Sequence, residues 1–576
     1  MTTLDSPPPT SEETPALAYA LRLITTQSAT GYFTPVPVPE PDFQATLAYL
    51  RDHPNDEFMH RWGLQQVLQM PSSQVADLLS TAGRDAVLNA LLLEAVLTHP
   101  PLAPLRKRVT AEMVRAYRMA SPLIILASES LPDHNLHRQW IALLKENLQY
   151  HRPLESPSEV GLEPLYHDSQ SGRSVSIDAI ETPPKRLGSA EPMPSFETVY
   201  GRAIQGLERA GIRMEAEMRH ESSLSPIALL RRWRMETRVQ QDRHRFLFSG
   251  QQTAYGKGLS LERARASCAM EIVERCSAFA TVENGQLPAM AWPAALKRAR
   301  LSELRREGRP VLDPNALALE VPYEDLPLYW MEGKTADDAP IFVPFQAVVL
   351  FANLDETCLF SGLGSTGLAA GGTLEQAKFH ALLECIERDA EAVQPYDPSR
   401  CFRLATRDPA VDGLLADYRR RGIDVVFQDC SLDFGIPCYK CFVSHADGQI
   451  AKGTSAHFTG WQAALAALTE TPYPYPHGPA SRTGPADLPI RHLETLPDHA
   501  SGDTAADLKR LEALLIANHH PPIYVDLTRR DIDIPVVRAL VPGLELMADF
   551  DRYSRFSPRL YRHYRNLFDS PRQGQE

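Results

Sequence analysis

The sequence predicts a mixed α/β (α+β) protein preceded by a small all-α N-terminal domain. Two observations predict this class. Apolar residues recur at helical spacing from Ala16 to about Tyr150, whereas from Ser195 onward helical and strand-like segments alternate. The 576 residues are also enough for more than one hydrophobic core. The predicted regions are a helical domain over residues 1–150, a linker rich in Pro, Ser, Gly and charge over 151–194, a catalytic-type domain over 195–560 and a tail over 561–576.

Local patterns in the second region predict its first elements. The segment Phe196–Ala210 is expected to be a helix. Strands are expected over runs rich in apolar and β-branched residues: Arg245–Ser249, Val343–Phe351, Val425–Asp429 and Tyr439–Val443.

Two stretches of the chain are copies of one another. Gly258–Arg275 and Gly371–Arg388 align at a constant offset and match Gly, Leu, Glu, Ala, Glu, Glu and Arg at the same places. Each predicts a glycine turn, a helix capped by Ser260 or Thr373, and an ExxER ending. The sequence therefore predicts a duplicated ExxER helix.

The duplicated acids suggest a shared site. A single ExxER helix would be explained by an i,i+4 surface ion pair, here Glu271–Arg275 or Glu384–Arg388. Repetition favours a site instead, because surface charge has no reason to keep its register in two distant segments. Small residues on the same stripe as the acids would leave room for a ligand; they are Ala264 and Cys268 in the first copy, Ala377 and Ala381 in the second.

Carboxylates from two helices favour a hard cation, and Mg²⁺ held in this way takes further ligands from phosphates, which points to a nucleotide. The sequence contains no G-x-x-x-x-G-K-[ST] loop. Gly362–Gly367 spells G-x-G-x-x-G and leaves open a nicotinamide-dependent oxidoreductase, but the next predicted helix begins only near Thr373.

Several motifs, in this order, resemble the YcaO family. They are Gly256-Lys-Gly258 leading to Glu271–Arg275, Ser365–Gly371 leading to Glu384–Asp389, Gly453–His457 with Thr469-Glu470, and Asp526-Leu-Thr with Ile534–Arg538 and Pro542–Glu545. The resemblance covers roughly residues 185–560 and leaves out the N-terminal helical region.

The resemblance implies an ATP site in which glutamates hold Mg²⁺. Carried over position by position, the metal ligands would be Glu271, Glu274, Glu384 and Glu387, and the nucleotide contacts would be Arg388, Thr198 and Gln376. Gln376 stands where an acid is common in the family, and Thr366 where asparagine is common. No enzyme nucleophile is implied, and His380, His457 and Glu470 are candidate proton-transfer groups.

The resemblance also implies a reaction. Family members use ATP to phosphorylate a peptide backbone amide, after which a neighbouring Cys, Ser or Thr gives an azoline ring and sulfide gives a thioamide. Ring-forming members commonly end in PxPxP, whereas this sequence ends in Ser570-Pro-Arg-Gln-Gly-Gln-Glu. We therefore expect a thioamide-forming member with a TfuA-type sulfur-delivery partner. The alternatives are an azoline-forming cyclodehydratase with a leader-peptide-binding partner, an accessory factor for ribosomal-protein methylthiolation, and a non-catalytic peptide-binding relative.

Composition narrows the setting. The net charge of −13 disfavours binding to nucleic acid. The N-terminal residues lack signal-peptide character, and the apolar run Ala339–Leu354 is too short to span a bilayer, so a cytoplasmic protein is expected. Eight cysteines are expected to be reduced thiols, with Cys438 and Cys441 as strand residues and not zinc ligands. The resemblance implies a homodimer.

Overall fold

A computed structural model describes residues 17–24, 32–166, 174–181, 194–546 and 550–569. Two parts of the predicted linker, 167–173 and 182–193, lie outside the described residues, as does the end of the predicted tail from residue 570.

Strands occur from the beginning of the described chain to residue 540. They are β1 Leu17–Ile24, β2 Tyr32–Val38, β3 Met218–Arg219, β4 Ile227–Gln241, β5 His244–Gly258, β6 Val282–Glu283, β7 Lys297–Ala299, β8 Leu328–Thr335, β9 Pro340–Pro344, β10 Leu368–Ala370, β11 Cys401–Ala405, β12 Val426–Asp429, β13 Cys438–Ser444, β14 Ile450–Ala456, β15 Ile490–His492, β16 Ile523–Asp526 and β17 Val536–Leu540.

Helices fill the N-terminal region and separate the sheets further on. They are α1 Phe43–Asp52, α2 Glu57–Leu68, α3 Ser72–Thr81, α4 Ala86–Thr98, α5 Ala111–Tyr117, α6 Ile125–Glu129, α7 His134–Tyr150, α8 Pro157–Val160, α9 Phe196–Arg209, α10 Leu261–Ala278, α11 Leu301–Arg306, α12 Leu374–Val393, α13 Pro409–Arg420, α14 Gly460–Glu470, α15 Thr504–Ala517 and α16 Pro558–Asp569.

The described strands form three sheets, which confirms the mixed α/β class. The first has the order β2-β1-β5-β4-β3 with β6 beside β4, the second β10-β17-β16-β8-β7 with β9 beside β8, and the third β14-β13-β12-β11-β15. α10 packs on β5 of the first sheet and on β10 and β17 of the second. α12 packs on β10 and β17 from the second sheet and on β14 from the third. The two ExxER helices thus lie where the sheets meet.

The expected all-α N-terminal domain is not confirmed. β1 pairs parallel with β5, from Leu17 opposite Phe246 to Leu21 opposite Gly250, and β2 pairs antiparallel with β1. Tyr19 and Leu21 face the core while Arg22 is exposed. The strand-like pattern of β1 is short, and its partner β5 lies more than 200 residues away along the chain. Local helical periodicity in residues 43–150 therefore dominated the prediction.

Other expected elements are confirmed with shifted ends. α9, β5, β12 and β13 contain or closely match the predicted segments. The predicted strand Val343–Phe351 is mostly wrong, since β9 ends at Pro344 and a 3₁₀ turn covers 345–347. A short apolar run can form a buried strand or a buried turn, and its periodicity does not tell which.

The C-terminal described segment packs on α7. The Trp140 ring lies 5.1 Å from that of Tyr561 and 5.5 Å from that of Tyr564, centroid to centroid. Helix α16 begins before residue 560 and continues into the region that was predicted to be a tail. The division of the chain at residues 150, 194 and 560 into separate units stays a prediction.

No single helix in the described part of the chain is long and apolar enough to cross a membrane. Ala86–Thr98 and Pro100–Arg108 reach the required length and composition only as a pair bent by 119°. All eight cysteines are free, and Cys438 and Cys441 are buried in β13.

A buried acid outside the ExxER helices gives a stability prediction. Glu356 is 5% exposed and accepts a hydrogen bond from the Tyr329 backbone N–H at 2.5 Å. Burial raises its pKa from an ordinary value of 4.5 to about 8. The folded state therefore disfavours the carboxylate, and stability is lost as pH rises from about 4.5 towards 8.

Glu356→Gln is expected to remove this loss. At pH 8.5 or so the variant should unfold at higher urea than the wild type, by about 1–3 kcal/mol, whereas near pH 4 the two should converge. Glu332→Gln, at an exposed position of β8, is the matched control and should change neither value. A gain of equal size at both pH values would contradict the assignment.

Candidate active site between two glutamate-bearing helices

The two ExxER helices lie unusually close to the strands they pack against. A Cβ at Gly256 of β5 would overlap the Ala264 carbonyl oxygen of α10 and lie 2.7 Å from the Cys268 backbone N. A Cβ at Gly371 would lie 2.5 Å from the Ala377 backbone N of α12. The small residues beside the acids therefore serve close helix–strand packing, which corrects the expectation that they leave room for a ligand.

Helix starts agree with the sequence. Ser260 accepts a hydrogen bond from the Arg263 N–H at 3.3 Å, and Thr373 accepts one from the Gln376 N–H at 3.2 Å. Both ExxER stretches are helical, so each places its acids one turn apart. That the two stretches are copies of one another stays a prediction.

Backbone amides of the described residues donate to three of the four glutamates, and the cluster lies partly out of solvent. Side-chain exposure is 26% for Glu271, 17% for Glu274 and 14% for Glu387. Glu271 accepts from the Tyr255 N–H at 2.7 Å, Glu384 from the Gly367 N–H at 3.2 Å, and Glu387 from the Ala456 N–H at 3.4 Å. Strands of all three sheets, or the loops beside them, thus orient the acids.

Electrostatics show that the acids of the two helices share one environment. Burial raises the pKa of Glu274, and the nearby charge of Glu384 raises it further. Burial likewise raises the pKa of Glu271 and of Glu384. The pKa of Glu387 is raised to about 8 by burial, with Glu384 adding to the effect. A cation would relieve this shared cost, since it favours the ionised carboxylates.

The arginines of the two motifs differ in their partners. Arg275 lies 3.7 Å from Glu271 and 3.4 Å from Glu274. Arg388 binds Glu387 at 2.9 Å and Glu391 at 3.0 Å. The i,i+4 pair Glu384–Arg388 is not formed among the described residues, so the simple surface-pair interpretation fails for the second helix.

Arg538 of β17 is a site residue to which the sequence argument gave no role. It is fully buried, and its Nη1 donates to the Gly364 carbonyl at 3.0 Å. Its Nε and Nη2 have no hydrogen-bond partner in the described structure. Burial lowers its pKa to about 10, although Glu384 and Glu274 oppose the shift. The sequence feature that could have revealed this residue is a single arginine within the otherwise apolar strand Val536–Leu540.

Glu470, at the end of α14, approaches from a third side. Its carboxylate pairs with Lys257 of β5, and its charge contributes to the raised pKa of both Glu271 and Glu387. It remains 51% exposed. Glu470 was expected only as a proton-transfer group, and the structure places it within the field of the glutamates.

Other predicted residues lie outside the glutamate cluster. Thr198 is exposed in the first turn of α9, where its hydroxyl meets Ser195 Oγ at 2.9 Å. Gln376 Oε1 accepts from the Gly372 N–H at 2.7 Å. No hydrogen bond within the described ranges joins either residue to the four glutamates. Their nucleotide contacts stay predictions.

The two candidate histidines both lie near the ring of Phe379 of α12. His380 is exposed on the helix, and His457 Nδ1 accepts from the Thr459 N–H at 3.0 Å. Burial lowers the pKa of His457 to about 4, and the charge of nearby His380 lowers it further.

The glycine-rich segment Gly362–Gly367 leads into strand β10 and not into a helix. The interpretation as a nicotinamide-binding protein therefore lacks the strand–turn–helix that it requires.

The donor set suits Mg²⁺ bound together with phosphates. Among the described residues no three His, Cys, Asp or Glu side chains are close enough to hold one metal ion by themselves. Mg²⁺ usually takes one or two carboxylates and completes its shell with water and substrate phosphates, so a complete protein cage is not required. The all-carboxylate chemistry of the four glutamates fits that pattern.

A mixed α/β protein in which carboxylates from two helices lie beside Arg275, Arg388 and the buried Arg538 belongs to a class suited to binding a nucleotide and a divalent metal. The family model described as YcaO cyclodehydratase, ATP- and Mg²⁺-binding, matches residues 255–473 and 471–545. The chain belongs to the YcaO family, as the motifs predicted, and its cofactors are ATP and Mg²⁺.

Two relatives are similar to part of the chain. An uncharacterised protein of Methanothermobacter thermautotrophicus is 28% identical over 338 residues, which are 52% of this chain and 84% of that protein. An uncharacterised protein in the tfuA 3′ region of Rhizobium leguminosarum bv. trifolii is 28% identical over 234 residues, 37% of this chain and 53% of that protein. The match to the second relative thus spans about half of that protein's length.

Solved structures also resemble the chain. YcaO from Methanopyrus kandleri bound with AMPPCP and Mg²⁺ is 20% identical, with a TM-score of 0.42 over 61% of this chain and 92% of that one. A heterocyclase in complex with substrate and cofactor is 21% identical, with a TM-score of 0.42 over 52% of this chain and 46% of that one.

Proposed function

We propose that this protein uses Mg-ATP to phosphorylate a peptide backbone amide and that the product is a thioamide or a related sulfur modification. The observation that carries the proposal is the shared environment of Glu274 and Glu384 from two different helices, with Arg275, Arg388 and Arg538 around them. Phosphoryl transfer depends mostly on positioning and charge neutralisation, which this arrangement suits.

The residue roles that we propose are those that the family resemblance implies. Glu271, Glu274, Glu384 and Glu387 would hold Mg²⁺, which when bound neutralises charge on the phosphate oxygens. Arg388, 38% exposed and fixed between two acids, would donate to the phosphates. Thr198 and Gln376 would make further nucleotide contacts. Thr198 is exposed in the first turn of α9 and Gln376 is partly exposed in the first turn of α12, which allows this.

The proposed chemistry balances without an enzyme nucleophile. The amide oxygen attacks the γ-phosphorus of ATP, the bond to the bridging oxygen breaks, and ADP leaves. Sulfide then adds to the amide carbon, and phosphate departs with the former amide oxygen. The products are a thioamide, ADP and phosphate.

The sulfur branch draws its support from a relative. The Rhizobium protein is named for its position in a tfuA 3′ region, which favours a TfuA-type sulfur-delivery partner for this chain. We also propose a homodimer. A second candidate function, azoline formation by a cyclodehydratase with a leader-peptide-binding partner, is favoured by the description of the matching family model.

The two functions differ in the mass of the product. Purified protein is incubated with Mg-ATP, sulfide and the peptides encoded beside its gene, and ADP and peptide masses are followed. We expect peptide-dependent ADP and a peptide in which sulfur replaces one oxygen. Loss of one water without sulfide uptake would establish the azoline branch instead. ADP formation that never responds to a peptide, or no nucleotide binding, would favour a non-catalytic relative, and modification only of a ribosomal protein would favour the accessory-factor alternative.

A further inference from the structure

Glu391 lies on α12 one turn beyond the ExxER motif and is a buried acid that contacts Arg388. Its side chain is 9% exposed. One carboxylate oxygen accepts from Arg388 Nη1 at 3.0 Å, and the other lies 3.2 Å from Lys452 Nζ of β14. The position falls outside the motifs that carried the family resemblance, although it continues their helical stripe at i+3 from Arg388.

Strand β14 anchors both acids that hold Arg388. Lys452 binds Glu391, and four residues along the same strand the Ala456 N–H binds Glu387 at 3.4 Å. Arg388 bridges the two acids, with Nη2 on Glu387 at 2.9 Å and Nη1 on Glu391. Two of the five guanidinium N–H groups are thereby committed to the protein, and three remain for a ligand.

Lys440 adds a third positive charge that acts on Glu391. It is fully buried in the middle of β13, directly opposite Thr454 of β14. Its Nζ and the Thr454 Oγ1 have no hydrogen-bond partner in the described part of the chain. A buried ammonium without a hydrogen bond is costly, so its charge needs compensation by a nearby acid. Lys452, Arg388 and Lys440 together outweigh burial and lower the pKa of Glu391 to about 2, which keeps its charge.

We propose that Glu391, backed by Lys452 and Lys440, is a positioning residue that fixes the Arg388 guanidinium for the nucleotide. The inference rests on the proposed function. An arginine side chain that is 38% exposed has many rotamers, and holding it between two anchored acids removes that freedom before the nucleotide binds. Arg388 thereby becomes a pre-oriented phosphate donor.

Binding of a non-hydrolysable ATP analogue with Mg²⁺, measured by calorimetry on the full chain, tests the proposal. Glu391→Gln should weaken binding by about 10- to 100-fold, the range typical of a residue that orients a ligand-binding group. When Arg388→Gln is already present, adding Glu391→Gln should weaken binding no further, because Glu391 acts through Arg388. Lys452→Arg, which keeps the charge, should bind close to the wild type.

Two variants separate positioning from stability. Lys440→Met replaces a buried ammonium that has no hydrogen-bond partner in the described structure by an apolar chain of similar length, and it should raise the melting temperature while it weakens nucleotide binding. Glu512→Gln is the matched control. Glu512 is a 4% exposed helical acid on α15 that pairs with Lys509 at 2.7 Å, and its change should lower stability without altering affinity.

Several results would overturn the inference. Unchanged affinity in Glu391→Gln would remove its role, as would losses in Glu391→Gln and Arg388→Gln that simply add in the double variant. A Lys440→Met protein that lost melting temperature and affinity together would assign Lys440 to packing. If the wild type itself bound no nucleotide, the proposed function would fail with the inference, whereas a binding wild type with an indifferent Glu391 would reject the inference alone.

Discussion

Glu384→Gln is expected to abolish measurable nucleotide binding in the presence of Mg²⁺, a loss of about 100-fold or more. Glu384 is the acid whose charge reaches across to α10, where it raises the pKa of Glu274. Its carboxylate accepts from the Gly367 N–H at 3.2 Å, and glutamine can keep that contact. The variant therefore removes the charge while preserving the shape of the site.

The same change should stabilise the metal-free protein. The pKa of Glu384 is raised in the folded state, chiefly by burial, so its ionised form opposes folding, and stability is lost as pH rises through the range between the unfolded and folded values. Glu384→Gln is neutral at every pH and escapes this loss. We expect a higher melting temperature than that of the wild type in EDTA at neutral pH, and a smaller shift on adding Mg²⁺ with the nucleotide analogue.

Glu375→Gln provides the comparison for both measurements. Glu375 is exposed in the first turn of the same helix and should leave affinity unchanged. If Glu384→Gln bound the analogue as tightly as Glu375→Gln, the four-glutamate assignment would be wrong. If both variants melted alike in EDTA, the burial argument for Glu384 would be wrong while the binding result could still stand.

Gly256→Ala should destabilise the fold by about 3 kcal/mol or more, the upper part of the range for overpacking. The added Cβ would overlap the Ala264 carbonyl oxygen and lie 2.7 Å from the Cys268 backbone N. Both are backbone atoms of α10, so no side-chain rotation relieves the clash. β5 and α10 must separate, and Tyr255, next to the substitution, would draw its N–H away from Glu271.

Urea unfolding, with nucleotide binding measured on the folded fraction, checks this result. Gly201→Ala is the control, since Gly201 lies in helix α9 with no atom within 4 Å of an added Cβ. Alanine there should be neutral or should stabilise by about 0.5–1 kcal/mol. Equal midpoints for Gly256→Ala and the wild type would show that α10 does not approach β5 so closely.

The predicted elements that proved right were those with strong local signals. Ser260 and Thr373 cap α10 and α12 as their sequence positions indicated. β1 and β2 were missed because β1 is held by pairing with the distant β5, and β2 joins the sheet only through β1, which no local pattern reports. The run Val343–Phe351 was misassigned because its burial, and not a strand, explains its apolar character.

The site divides in a similar way. The residue types and the ExxER spacing were enough to select Glu271, Glu274, Glu384 and Glu387, whose metal role stays a prediction to be tested. The partners of Arg388 were not accessible from spacing alone, because its choice of Glu391 over Glu384 depends on where β14 places Lys452 and Ala456.

The sequence by itself determined the family, the helical caps and the clustering of acids on two helices, since these are properties of residue type and helical period. The tertiary structure alone decided what surrounds those acids. Arg538 and Lys440 come from interior strands, and nothing local in Val536–Leu540 or Cys438–Ser444 tells which carboxylates they face. The physical reason is that burial and electrostatic compensation arise between segments distant in sequence, where packing of the three sheets sets the distances.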